Sequence, residues 1–177
     1  KMSFVNEKLN EFNEYIKYRK VAIIGVGVSN LPLLDYLYEK KANVTVFEER
    51  NYEEIPKDIT EKISNYGYIF HYGKDCLQYL KNFNVIFRSP SCLPTKPELV
   101  EESKRGAIVT TEVELLMEMS PAKIIGVTGS DGKTTTTSLI NAILQHAGYK
   151  TFLGGNIGTP LFTKLPEMKP EDIVVLE

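Results

Sequence analysis

Residues 126–137 read GVTGSDGKTTTT, three glycines, one lysine and four consecutive threonines directly after a short apolar stretch. A strand that runs into glycines and then into a helix aims several main-chain N–H groups the same way, at the positive end of the helix dipole, and so makes an anion site. Gly129 and Gly132 permit positive φ and let the backbone approach phosphate oxygens without a Cβ clash. Lys133 carries a compact charge suited to β- and γ-phosphates, and the Thr134 hydroxyl can ligate Mg²⁺. The expected phosphate-contacting set is Gly129, Ser130, Asp131, Gly132, Lys133, Thr134 and Thr135, with a nucleotide's phosphates and Mg²⁺ as the ligands. Threonine forms helices poorly, yet four of them open this one, as when local propensity yields to a need for hydroxyls. The common pattern G-x-x-x-x-G-K-[ST] asks for glycine at 127; here Val127 stands there and the glycine is Gly126. The plainer alternative is a glycine-rich turn with solvated hydroxyls at Thr134 to Thr137.

A second glycine turn lies earlier, in VAIIGVGVSNLPLLDYL, with Gly25-x-Gly27 after a strand and the acidic Glu48 at the end of the next strand. These are elements of a dinucleotide fingerprint, but Asn30 occupies the place of its third glycine. Some diphosphate-bearing ligand fits a helix N-terminus of this kind, NAD or FAD being one option and tight strand–helix packing without a ligand another. Pro32 suits the first turn of the helix that follows.

The elements that must hold these turns alternate along the chain. Strands are predicted at 21–26, 44–47, 68–70, 85–87, 107–109, 123–127, 151–153 and 173–176, and helices at roughly 58–66, 75–82, 95–105, 111–119 and 133–147. An amphipathic helix with Phe4, Val5, Leu9, Phe12 and Ile16 precedes them. Such alternation predicts an α/β fold with parallel sheets and helices on both faces. The proline-bearing MSPAK turn at 119–123 divides two strand–turn–helix units, predicting domains over 1–121 and 122–177. The second has about 56 residues, too few for an ordinary α/β domain, so the chain is expected to be the front part of something longer.

Composition bounds the rest. With 21 basic and 23 acidic residues among 177, a net charge of −2, the chain lacks the basic excess of non-specific nucleic-acid binders. No run approaches the ~18 apolar residues of a spanning helix, and the N-terminus is no signal peptide, so a cytoplasmic location without membrane partners is expected. Cys76 and Cys92 form no CxxC pair and read as inert thiols. His71, amid aromatics, is expected at the surface or a core edge, His146 at a helix C-terminus, and Glu112 and Glu114 on a solvated helix face.

The loop GVTGSDGKTTTT with GGNIG (154–158), RSPSCLP (88–94), TTEVELL (110–116) and the Rossmann-like start VAIIGVGVSN…VTVFEER resembles the Mur ligases of peptidoglycan synthesis, and among them the D-glutamate-adding members. The resemblance implies a Rossmann-like domain for the UDP end of the substrate, followed by the start of a P-loop ATPase domain. It implies that Val28, Ser29, Glu48, Glu49, Arg50, Ser89 and Asn156 contact UDP-N-acetylmuramoyl-L-alanine, that Lys133 and Glu177 are catalytic, and that Thr134 and Glu177 hold Mg²⁺. D-glutamate would be the second substrate, joined through an acyl phosphate. Asn30 and Ser91 depart from glycines of the family pattern. In the family, residues for the amino acid and adenine lie beyond position 177, so the isolated chain is expected to show no ligase turnover. The alternatives are another member of the family, a redox enzyme using the first glycine turn, or a P-loop module that binds nucleotide without ligation.

Overall fold

The computed structural model describes residues 2–155 and 159–177. These divide into two compact units, one of Glu11–Thr111 and one of Glu112–Glu177 with the described residues through Asn10.

The first unit is built on five parallel strands, β1 (Lys20–Ile24), β2 (Asn43–Glu48), β3 (Ile69–Tyr72), β4 (Val85–Phe87) and β5 (Ile108–Thr110), in the order β3-β2-β1-β4-β5. Central strands of such a sheet are covered on both faces and read as unbroken apolar runs, as Val21 to Ile24 and Val85 to Phe87 do; all seven are buried. The helices are α2 (Leu31–Glu39), α3 (Lys57–Asn65) and α4 (Pro97–Lys104), with the part of α1 (Glu7–Ile16) from Glu11 onward. Leu9, Phe12 and Ile16 form the buried stripe of α1. The helix predicted at 75–82 is instead a single 3₁₀ stretch, Cys76–Tyr79. Leu77 and Leu80, three apart, are both buried, and a spacing of three aligns side chains in the tighter helix. Because β1 pairs with β2 on one side and β4 on the other, the chain reverses its winding at the C-terminal end of β1, where open α/β sheets leave a crevice.

The second unit carries α5 (Glu112–Met119), β6 (Lys123–Gly126), α6 (Lys133–His146), β7 (Thr151–Gly154) and β8 (Ile173–Leu176), with parallel strands in the order β6-β8-β7. Leu115, Leu116 and Met119 of α5 are buried, as are Leu161, Phe162, Leu165 and Met168 in and around a 3₁₀ stretch, Phe162–Glu167. The buried face of α6 is narrow. Thr137 is fully buried and Ile140 and Leu144 half-buried, whereas Leu139 and Ile143 are 60% and 58% exposed. Gly148, at φ +95°, turns the chain after α6. Among the described residues no helix is long and apolar enough to cross a membrane.

Candidate functional site

Within the first unit, the turns after β1, β2 and β4 enclose a cleft of about 530 Å³ lined by Gly25, Gly27, Val28, Ser29 and Asn30, by Glu48, Glu49 and Arg50, and by Ser89, Ser91 and Lys96, among others. Six of the residues expected to hold a nucleotide-linked substrate, Val28, Ser29, Glu48, Glu49, Arg50 and Ser89, therefore come together; Asn156 lies outside the described residues. Gly25 must be glycine. It sits at φ +87°, and a Cβ there would lie 3.0 Å from Ser89 Cβ.

Glu48 does a structural task in this cleft. Its Oε1 accepts from Val26 N at 3.2 Å and Arg50 Nη2 at 3.0 Å, and its Oε2 from Arg50 N at 2.9 Å. Burial alone would raise its pKa, but these hydrogen bonds and the Arg50 charge outweigh it and hold the carboxyl below the usual range. The glycine turn is thus tied to the end of β2 by an ionised carboxylate. Asn30, which stands where a dinucleotide fingerprint has glycine, is 1% exposed and donates from Nδ2 to Ile24 O at 2.9 Å and Gly25 O at 3.2 Å. Its side chain fastens the turn from inside. An acidic group already engaged and a filled third-glycine position both count against a dinucleotide with free access to Glu48.

In the second unit, β6 leads through the glycine loop into α6. Gly132 is the residue before the helix, left-handed at φ +73°, and Gly129 has φ +149°. Among the described residues, the main-chain N–H groups of Gly129 to Lys133 donate to no protein acceptor; Gly132 and Lys133 are at the start of α6, where amides lack a partner within the helix. Lys133 forms no ion pair among the described residues. The four threonines separate by task. Thr137 turns inward and donates to Lys133 O, Thr135 and Thr136 are exposed, and the Thr134 hydroxyl lies 3.2 and 3.1 Å from the two carboxylate oxygens of Glu177.

Glu177 is brought there by the end of β7. Its main-chain N–H donates to Gly154 O at 3.1 Å, and the chain turns away at Gly155 with φ +93°. A Cβ on Gly155 would sit 2.5 Å from Glu177 O, and one on Gly154 would run into the Thr159 carbonyl. Gly155→Ala combines a left-handed backbone with a collision against main chain. It is expected to destabilise the unit by about 2–4 kcal/mol and to show as a lowered melting temperature. A variant that melts with the parent would mean that β7 does not pack on Glu177 in this way.

Among the described residues no group of three or more His, Cys, Asp and Glu gathers to cage a metal. Thr134 with Glu177 offers one hydroxyl and one carboxylate, a partial shell that suits Mg²⁺, which takes its remaining ligands from phosphate and water.

Several other expectations are settled by the packing. Glu112 is buried, 8% exposed, where a solvated helix face was expected; its Oε1 accepts from Leu161 N at 2.7 Å and Phe162 N at 2.8 Å. Glu114 is exposed. His71 stacks on Tyr79 at 4.5 Å and on Phe47 at 5.3 Å, a core-edge place. Burial raises the pKa of both cysteine thiols, that of Cys76 to about 11, which keeps them protonated and unreactive near neutrality. Lys96 was missed in the sequence. Pro97 begins a helix and marks Lys96 only as the residue before it.

Comparison with known proteins agrees with this geometry. The profile "Mur ligase MurD-like, N-terminal domain" matches residues 19–111, and "Mur ligase middle domain" matches residues 127–177. Curated relatives called UDP-N-acetylmuramoylalanine--D-glutamate ligase include that of Clostridium novyi, 44% identical over 98% of this chain, and that of Clostridium tetani, 46% identical over 98%. The chain spans 38% of the length of each. A solved structure of a UDP-N-acetylmuramate:L-alanyl-gamma-D-glutamyl-meso-diaminopimelate ligase from Neisseria meningitides shares the fold, with a TM-score of 0.50 at 21% identity over 89% of this chain and 52% of that one.

Proposed function

Because this chain belongs to the Mur ligase family, we propose that it carries the substrate-nucleotide cleft and the opening of the ATP site of a ligase that joins D-glutamate to UDP-N-acetylmuramoyl-L-alanine. The observation that carries this reading is the pairing of uncommitted loop amides at Gly129 to Lys133 with a Thr134 hydroxyl set against Glu177.

A carboxylate is a poor acyl donor. In the proposed reaction its oxygen attacks the γ-phosphorus of ATP, the bond to the β-phosphate oxygen breaks, and ADP leaves with that electron pair. The amine of D-glutamate then attacks the acyl carbon, loses a proton, and inorganic phosphate departs. Positioning and charge neutralisation provide most of the acceleration in phosphoryl transfer. The loop amides would hold the phosphate oxygens and Lys133 would neutralise the charge on the transferring group. Thr134 and Glu177 would hold Mg²⁺, which when bound screens the phosphates and fixes their orientation. Val28, Ser29, Ser89 and, by family resemblance, Asn156 would seat the UDP-linked substrate, while Glu48 and Arg50 keep the cleft in shape. This reading places the reaction in the cytoplasm, where ATP is at hand, and domains at 1–121 and 122–177 remain our working division for its two ligands.

The test uses the whole protein. ADP release is expected to require both UDP-N-acetylmuramoyl-L-alanine and D-glutamate, with Mg²⁺ present. Release that is indifferent to D-glutamate would leave a nucleotide-binding module instead, and preference for another amino acid would move the protein to a different branch of the family.

A further inference from the structure

Two cations line the cleft of the first unit. Arg50 is committed, with Nη2 at 3.0 Å from the buried Glu48. Lys96 is not committed in the same way. Its Nζ lies 2.7 Å from Glu49 Oε1, and the two side chains are 37% and 53% exposed. Glu49 follows β2 and Lys96 lies between β4 and α4, while β1 stands between β2 and β4 in the sheet. The ion pair therefore bridges the loops on either side of β1, across the end of the strand that bears the glycine turn. With both cations matched to carboxylates, the cleft is balanced in charge, whereas a nucleoside diphosphate brings negative charge that needs a partner. An exposed ion pair is held weakly and is readily exchanged; an ammonium–phosphate contact in a cleft is stronger.

We infer that Lys96 is a ligand-binding residue of this cleft, whose ammonium leaves Glu49 for the diphosphate of an incoming nucleoside diphosphate, so that the Glu49–Lys96 pair is a strap released by the ligand. The inference rests on the proposed reading of the cleft as a nucleotide-sugar site.

The experiment compares UDP with uridine, by calorimetry and by competition, on the parent chain and three variants. Lys96→Met is expected to weaken UDP binding by roughly 10–100-fold and to leave uridine binding within about twofold, because only the contact to phosphate is lost. Lys96→Arg keeps the charge and is expected to restore most of the affinity. Glu49→Gln removes the competing carboxylate and is expected to tighten UDP binding by about two- to fivefold. A Lys96→Met chain that binds UDP as the parent does, or that loses UDP and uridine equally, overturns the inference and leaves the nucleotide reading in place. So does a Glu49→Gln chain that binds UDP more weakly. A parent chain that binds neither ligand overturns both.

Discussion

Lys133→Ala is expected to weaken ATP binding to this chain by roughly 10–100-fold, and in the whole protein to lower turnover by roughly 10²–10³-fold. The loop amides would still point at the phosphates in the variant, since the turn is set by Gly129 and Gly132 in positive-φ conformations and not by the lysine. What disappears is a charge that no protein carboxylate neutralises among the described residues. The loss should therefore fall most heavily on ligands with a γ-phosphate. Titration with ATP, ADP and AMP separates the cases: the difference between parent and variant should shrink along that series. UDP affinity in the cleft of the first unit should stay at the parent value, because Lys133 is not among the residues that line it. An alanine variant that binds ATP like the parent would remove the lysine from the site, and with it most of the reason to read this loop as a triphosphate cradle.

How much of this was readable beforehand depends on how local the cause was. Strands β1, β2, β4 and β8 were legible because each is a short run buried by its own sheet, and the phosphate loop because glycine, lysine and threonine state their purpose within a dozen residues. Gly25 was legible as a turn residue, but the Ser89 side chain that crowds a Cβ there comes from the turn after β4, more than 60 residues later, and was not. Asn30 looked like a departure that put the path of the turn in doubt. In the fold it reinforces that turn, because its amide reaches two carbonyls of the backbone it follows. Lys96 and Glu49 meet only because β2 and β4 flank β1, and strand order is not written in either segment. The helix expected at 75–82 shows the same limit: an apolar spacing of three permits a 3₁₀ turn as readily as an α-helix.

Glu112 is the residue whose sequence neighbourhood misleads most, and its replacement should cost the second unit the most stability. It opens α5 beside Glu114, which suggests a charged face in water, yet one of its oxygens satisfies two buried main-chain donors, at Leu161 and Phe162, where the 3₁₀ stretch begins. Glu112→Ala leaves both amides without an acceptor. At about 1–3 kcal/mol for each buried donor, the expected loss is about 2–5 kcal/mol. Glu112→Gln keeps an acceptor oxygen and should lose less. Burial holds the Glu112 carboxyl above the ordinary carboxylate range, while the two N–H groups pull it back only in part. A folded-state pKa that is raised means that the unfolded chain gives up this proton more easily. The stabilising contribution of Glu112 is then complete below the unfolded pKa and declines as pH rises through the folded one. Glutamine does not titrate, so the parent's advantage over Glu112→Gln should be largest in acid and should narrow toward neutral pH. Thermal unfolding of the parent and both variants across that range checks the sign and the size together. If the alanine variant melted with the parent, the carboxylate would not be holding the 3₁₀ stretch; if the advantage over glutamine grew with pH, hydrogen bonding to the ionised form would be outweighing burial.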